Sequence, residues 1–333
     1  MTAAVVFGCA GTVLSPQERD FFHTVDPLGF ILFARNVEAP DQVRALVAAL
    51  RASVGRAAAP VLIDQEGGRV ARLKPPHWPV RPAAAVFGEL FQRRGRSVAC
   101  EAARLDGRLI ADDLQRLGID VLCAPVLDLR RPTTHAAIGN RCFGADPLVV
   151  SDLASSFIDG VVEGGVIPVI KHIPGHGRAT TDSHFDLPVV DTDAAELADS
   201  DFVPFRVLAS RAWGITAHIV YRAFDPDRPA TQSKIVVGDV IRGQIGFDGF
   251  LMTDDLSMRA LGGDYAERTE RALDAGCDAI LHCNGNMAEM TEVARAARPL
   301  SQAGQDRQLR IRPLPPIACD RAALQATLDS LTA

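Results

Sequence analysis

Short β-branched runs alternate along the chain with longer stretches in which apolar residues recur every three or four positions. The first pattern is that of buried strands and the second that of helices packed by one face. Strands are predicted at residues 3–7, 29–33, 60–64, 121–125, 166–171, 214–218, 250–253 and 279–282, with helices such as 42–51, 97–117, 147–163, 234–244 and 265–275 between them. Alternation of this kind predicts βα units and a parallel sheet. Eight units over the whole length predict an α/β fold, a single (β/α)8 TIM-like barrel over residues 1–333 with no second domain. An open doubly wound sheet is the competing architecture, but the chain has neither G-x-G-x-x-G nor a Walker A loop. Residues 75–82 and the proline-rich 312–316 read as loops.

Composition narrows the class. With 35 Lys and Arg against 41 Asp and Glu, the net charge of −6 argues against a polybasic nucleic-acid binder. Seven cysteines without a C-x-x-C pair favour neither a disulfide framework nor a zinc ribbon. The N-terminus lacks a basic segment followed by an apolar core, and apolar stretches elsewhere are interrupted too early for a membrane span. A cytoplasmic protein is expected, with no membrane or nucleic-acid partner, no cofactor or metal, and its oligomeric state left open.

The chemistry sits at predicted strand ends. Asp64, Asp128, Lys171-His172, His218 and Asp254-Asp255 each close or follow a strand, and in a barrel these ends meet at one mouth. Lys171 to His184 is the densest stretch, a loop broken by Pro174 and glycines. His172, His176 and His184 with Asp182 form a candidate zinc shell, although the loop denies them helical spacing. The alternative is acid/base work: an imidazole titrates near neutrality, and Asp182 stands two residues from His184. Asp254, at the strand end, suits a nucleophile better than Asp255, which is free to cap a helix starting near Leu256; strand alternation turns only one of the two into the mouth, and the sequence leaves open which. Around the Gly67-Gly68 turn, Asp64, Arg69 and Arg72 make a clamp for vicinal hydroxyls, and Arg141 lies on another glycine-flanked loop.

Ile63-Asp-Gln-Glu-Gly-Gly-Arg-Val, Ile138-Gly-Asn-Arg-Cys-Phe-Gly, Lys171-His-Ile-Pro-Gly-His-Gly, Asp182-Ser-His184, Thr216-Ala-His218 and Thr253-Asp-Asp-Leu-Ser-Met258 occur in this order. Together they resemble glycoside hydrolase family 3, and more narrowly its bacterial β-N-acetylglucosaminidases of cell-wall recycling, from about Gly29 to Asn284. The resemblance implies a TIM-like barrel and a retaining exo-hydrolase. Its implied substrate is the muropeptide fragment GlcNAc-1,6-anhydro-MurNAc, with or without peptide, from which it removes N-acetylglucosamine. It further implies Asp254 as nucleophile, His184 as acid/base with Asp182 as partner, and Asp64, Arg72, Arg141, Lys171, His172 and His218 around the amino sugar. Larger relatives carry a second domain that sometimes supplies the acid. Here the proton donor is expected from the barrel, with Asp186 ranked behind His184. A metal-dependent hydrolase using His172, His176 and His184, a non-catalytic sugar-binding barrel, and phosphorolysis as a variant of the reaction stand as alternatives.

Overall fold

The computed structural model describes residues 1–183 and 185–333. Eight strands close a barrel: β1 (Ala3–Phe7), β2 (Pro27–Leu32), β3 (Val61–Ile63), β4 (Val121–Leu122), β5 (Ile167–Ile173), β6 (Trp213–Thr216), β7 (Leu251–Asp255) and β8 (Ala279–His282). They follow one another around the barrel in chain order, every neighbouring pair is parallel, and β8 returns to β1 with Val5 opposite Ile280. This is the expected (β/α)8 architecture.

Alternation along the strands separates two cores. Val6, Leu62, Val169, Ile215, Met252 and Leu281 point into the barrel and fill it, while Val5, Phe7, Ile63, Ile170 and Leu251 pack outward with the helices. The barrel is thus filled by side chains, and its mouth closes over an apolar floor.

The helices follow their local signals. Pro147–Glu163 starts at Asp146, whose carboxylate accepts the N–H groups of Leu148 and Val149, and has Pro147 in its first turn. It lies along Arg96–Gln115 so closely that a Cβ on Gly160 would stand 1.9 Å from the Arg104 carbonyl oxygen. The C-terminal helix Arg321–Thr332 packs back onto Arg96–Gln115.

One local expectation is corrected. No helix starts at Leu256; the next helix is Tyr265–Ala275, capped by Asp264. The Asp255 carboxylate instead accepts Ser257 N–H and Oγ–H and the N–H of Cys283, tying the turn after β7 to the end of β8.

Candidate active site

The C-terminal strand ends surround a cavity of about 340 Å³. Ile31, Cys123, Ile215 and Leu281 bring the apolar barrel interior to its floor, and polar groups from β3, β5 and β7 stand on its walls. Asp64, Arg72, Arg141, Lys171, His172, Asp182 and Asp254 all line it. His184 lies outside the described residues.

Two buried carboxylates organise the cations. Asp64 accepts Lys171 Nζ at 2.8 Å and Arg72 Nη2 at 2.8 Å. Glu66 accepts Lys171 at 2.7 Å and takes Arg141 through both Nε and Nη2, each at 2.8 Å. A bidentate guanidinium pair fixes direction as well as charge. Burial opposes ionisation of Asp64, but Lys171 and Arg72 outweigh it and hold its carboxyl well below the usual range. Glu66 is likewise lowered against its burial by Arg141 and Lys171. For Lys171 burial favours the neutral amine, and the two carboxylates reverse that and raise it.

Local chain geometry brings these groups together. Gly67 and Gly68 adopt φ of +91° and +56°, and a Cβ on Gly67 would stand 2.0 Å from the Pro82 oxygen. Only glycine suits that turn. Gln65 braces it by accepting the N–H groups of Arg72 and Leu73, and the Arg72 guanidinium lies 5.0 Å from the Phe33 ring centroid.

On β5, His172 places Nδ1 2.7 Å from Asp128 Oδ2, and its Nε2 stands 3.5 Å from Arg141 Nη2. The other oxygen of Asp128 accepts the N–H of His176 at 2.6 Å. Burial, the largest cause, pushes the His176 imidazole down to about 4. Its Nε2 meets Ser183 Oγ at 3.2 Å, and the Ser183 carbonyl accepts Ala260 N–H, so this loop is tied to both β5 and the segment after β7.

Asp254 stands at the cavity wall with its carboxylate accepting the Asp255 N–H at 2.8 Å. Burial would raise its carboxyl, but His172 and His218, with that N–H and Lys171, hold it below its ordinary value. Asp255 lines the cavity too. The register of β7 against β8 shifts between Met252 and Asp255, which overrides the strict alternation expected to expose only one of the pair.

His218 is a correction to the expected set. It is fully buried and does not line the cavity; its ring reaches Thr231 Oγ1 at 2.7 Å and the Asp255 carbonyl at 3.1 Å. Both nitrogens are engaged, and the residue supports the β7 tip from behind. Asp186 is exposed and away from the cavity, and Arg178 pairs with Asp201 and Glu196. Sequence reasoning passed over Glu66 and placed Asp128 at the mouth without a specific role. Glu66 had a signal, since it lies two residues after Asp64 and strand alternation places both on one face. Among the described residues, no three His, Cys, Asp or Glu side chains form a metal-binding set.

A parallel barrel whose strand tips assemble ionised carboxylates, buried cations and imidazoles around an open cavity is the framework of a carbohydrate-cleaving hydrolase. The chain belongs to glycoside hydrolase family 3: the model of the glycosyl hydrolase family 3 N terminal domain matches residues 22–311. It is an enzyme of the β-N-acetylhexosaminidase type. The beta-hexosaminidase of Alkalilimnicola ehrlichii is 39% identical over 284 residues, 84% of this chain and 80% of that protein. NagZ from Neisseria gonorrhoeae, solved in complex with N-trifluoroacetyl-D-glucosamine, superposes with a TM-score of 0.90 at 31% identity, covering 100% of this chain and 98% of that one. The same Neisseria protein solved with a zinc ion gives 0.89 at 31% identity over the same shares.

Proposed function

We propose that the enzyme releases a terminal β-linked N-acetylglucosamine by hydrolysis with retention of configuration, using Asp254 as nucleophile and His184, oriented by Asp182, as acid/base. The observation that carries this reading is the Asp254 carboxylate: it lines the cavity and stays ionised against its burial, in the same cavity as the Asp64, Lys171 and Arg72 cluster. Asp182 and Ser183 line that cavity as well, and His184 is the next residue of the chain.

In the first step protonated His184 donates to the glycosidic oxygen as the C1–O bond breaks and an Asp254 oxygen bonds to C1. In the second, neutral His184 takes a proton from water as that water attacks C1, and the ester bond breaks to restore the Asp254 carboxylate. Asp64, Arg72, Arg141, Lys171 and His172 hold the amino sugar. Buried Arg72 Nε has no partner among the described residues, which leaves a donor for a sugar oxygen. The Neisseria protein's complex with an N-acylated glucosamine supports this choice of sugar. The proposed substrate is GlcNAc-1,6-anhydro-MurNAc, with or without peptide, and the proposed setting is cytoplasmic cell-wall recycling.

The test is turnover of a chromogenic β-N-acetylglucosaminide and of the anhydro-disaccharide by the parent, Asp254→Ala and His184→Ala. Losses of about 1000-fold or more are expected on both substrates for Asp254→Ala. For His184→Ala the loss is expected to be largest on the disaccharide, whose poor leaving group needs the acid. Near-parental rates in both variants overturn the reading. The metal-dependent alternative predicts loss on chelation and rescue by zinc; here EDTA is expected to leave the rate within about twofold.

A further inference from the structure

Asp128 lies beneath the site, fully buried, in the segment that follows β4. Its carboxylate receives donors on both oxygens. Oδ2 faces His172 Nδ1 at 2.7 Å, while Oδ1 accepts the N–H of His176 at 2.6 Å and stands 3.3 Å from the N–H of His172. A carboxylate only accepts, so the short contact at Oδ2 places a hydrogen on His172 Nδ1. The other face of the ring supports the same assignment. Nε2 points toward Arg141 Nη2 at 3.5 Å, and a guanidinium only donates. That nitrogen, on a ring lining the cavity, therefore carries a lone pair.

From this geometry we infer that Asp128 is a positioning residue: it locks His172 in the Nδ1–H tautomer so that Nε2 faces the cavity as an acceptor for a substrate hydroxyl. The inference rests on the proposed function and adds to it the reason His172 binds a hydroxyl-bearing ligand. It also joins two parts of the site, because the same carboxylate fixes the backbone of His176, whose ring holds Ser183.

The geometry makes Asp128→Asn a sharp test. An amide has one accepting and one donating end. With its NH2 toward His172, it drives the ring to the Nε2–H tautomer, donor against donor at Arg141. Turned over, its NH2 opposes the His176 N–H. Neither orientation satisfies all the partners that the carboxylate satisfies, although size and shape are nearly unchanged.

The experiment is ¹⁵N NMR of the histidine rings in the parent and Asp128→Asn, with kcat and KM on a chromogenic β-N-acetylglucosaminide. The parent is expected to show His172, assigned by its loss in His172→Gln, as Nδ1–H, and Asp128→Asn as Nε2–H. A fall in kcat/KM of about 10- to 100-fold is expected, the range for leaving one buried polar group mispaired. Asp128→Glu, which retains an accepting carboxylate, is expected to keep the parental tautomer and recover part of the activity. An unchanged tautomer in Asp128→Asn overturns the inference whatever the activity, and so does a switched tautomer with parental kcat/KM. Should the parent release no N-acetylglucosamine, the functional reading fails. The inference is then decided by ring spectra with N-acetylglucosamine added: it requires Nε2 of the parent to shift and that of Asp128→Asn not to.

Discussion

The barrel mouth and the seam beneath the C-terminal helix both bury acids beside arginines, yet they treat those acids in opposite ways. At the mouth, Asp64 and Glu66 each meet two cations, Asp128 receives two backbone N–H groups and an imidazole, and all three stay ionised below their ordinary range despite burial. In the seam, Asp106 is equally buried but neither oxygen has a hydrogen-bond partner among the described residues, and Arg81 Nη1 comes only to 4.0 Å. Arg81 is drawn instead to Asp113 at 3.3 Å and to Gln325 of the C-terminal helix at 2.9 Å. Burial, helped by Asp113 and only partly opposed by Arg81, pushes the Asp106 carboxyl up to about 7. Depth does not set protonation; the donors within reach do. The mouth has enough of them to keep charge in a low-dielectric place, which is what a nucleophile and a polar ligand require.

Removing a cation from the mouth is the most damaging way to probe this difference. Lys171→Met leaves two buried carboxylates short of a partner and is expected to cost about 3–5 kcal/mol of stability, read by denaturant unfolding at pH 7. A change below about 1 kcal/mol would show that the mouth is not held by charge pairing.

The seam predicts the opposite sign. Because the folded Asp106 carboxyl is raised, its contribution to stability is present below the unfolded value near 4 and is lost as pH rises toward about 7. Asp106→Asn removes the penalty and is expected to stabilise the protein by about 1–3 kcal/mol at pH 8, with no gain at pH 4. Unfolding curves at the two pH values check this, and a loss of stability at pH 8 would contradict it.

The smallest effect concerns catalysis. Since Asp254 is held below its ordinary value, it is expected to add no acid limb to kcat/KM above about pH 4 on an aryl glycoside whose leaving group needs no protonation. A limb between about pH 5 and 7 on such a substrate, absent its own ionisation, would place Asp254 in a different environment.

Much of this molecule is legible in its sequence. All eight strands were visible because β-branched runs bounded by Gly, Pro or Asp leave few alternatives. The helix Pro147–Glu163 was placed to the residue, since Asp146-Pro147 opens it and Gly164-Gly165 ends it. Residues at strand tips could be assigned to one mouth because a parallel barrel orients every tip alike. What escaped was pairing across the chain. Glu66 meets Arg141 and Lys171 from 75 and about 105 positions away, so nothing local marks it as the hub of those cations. His218 was misplaced for a related reason. A strand-tip histidine is expected to face the cavity, but Thr231, brought in from a later segment, and the Asp255 carbonyl hold the ring away from it. The turn after β7 escaped because Asp255 is claimed by Cys283, just past the neighbouring strand β8, before it can cap a helix.

The central claim is that Asp254 attacks the sugar, and the most direct measurement is mass spectrometry of the enzyme after incubation with a slow fluorinated N-acetylglucosaminyl substrate, followed by proteolysis. The account predicts one glycosyl ester on the peptide bearing Asp254, absent from Asp254→Ala. No adduct on that peptide, together with an Asp254→Ala enzyme that still turns over most of its substrate, would contradict it and point to attack by the sugar's own acetamido oxygen.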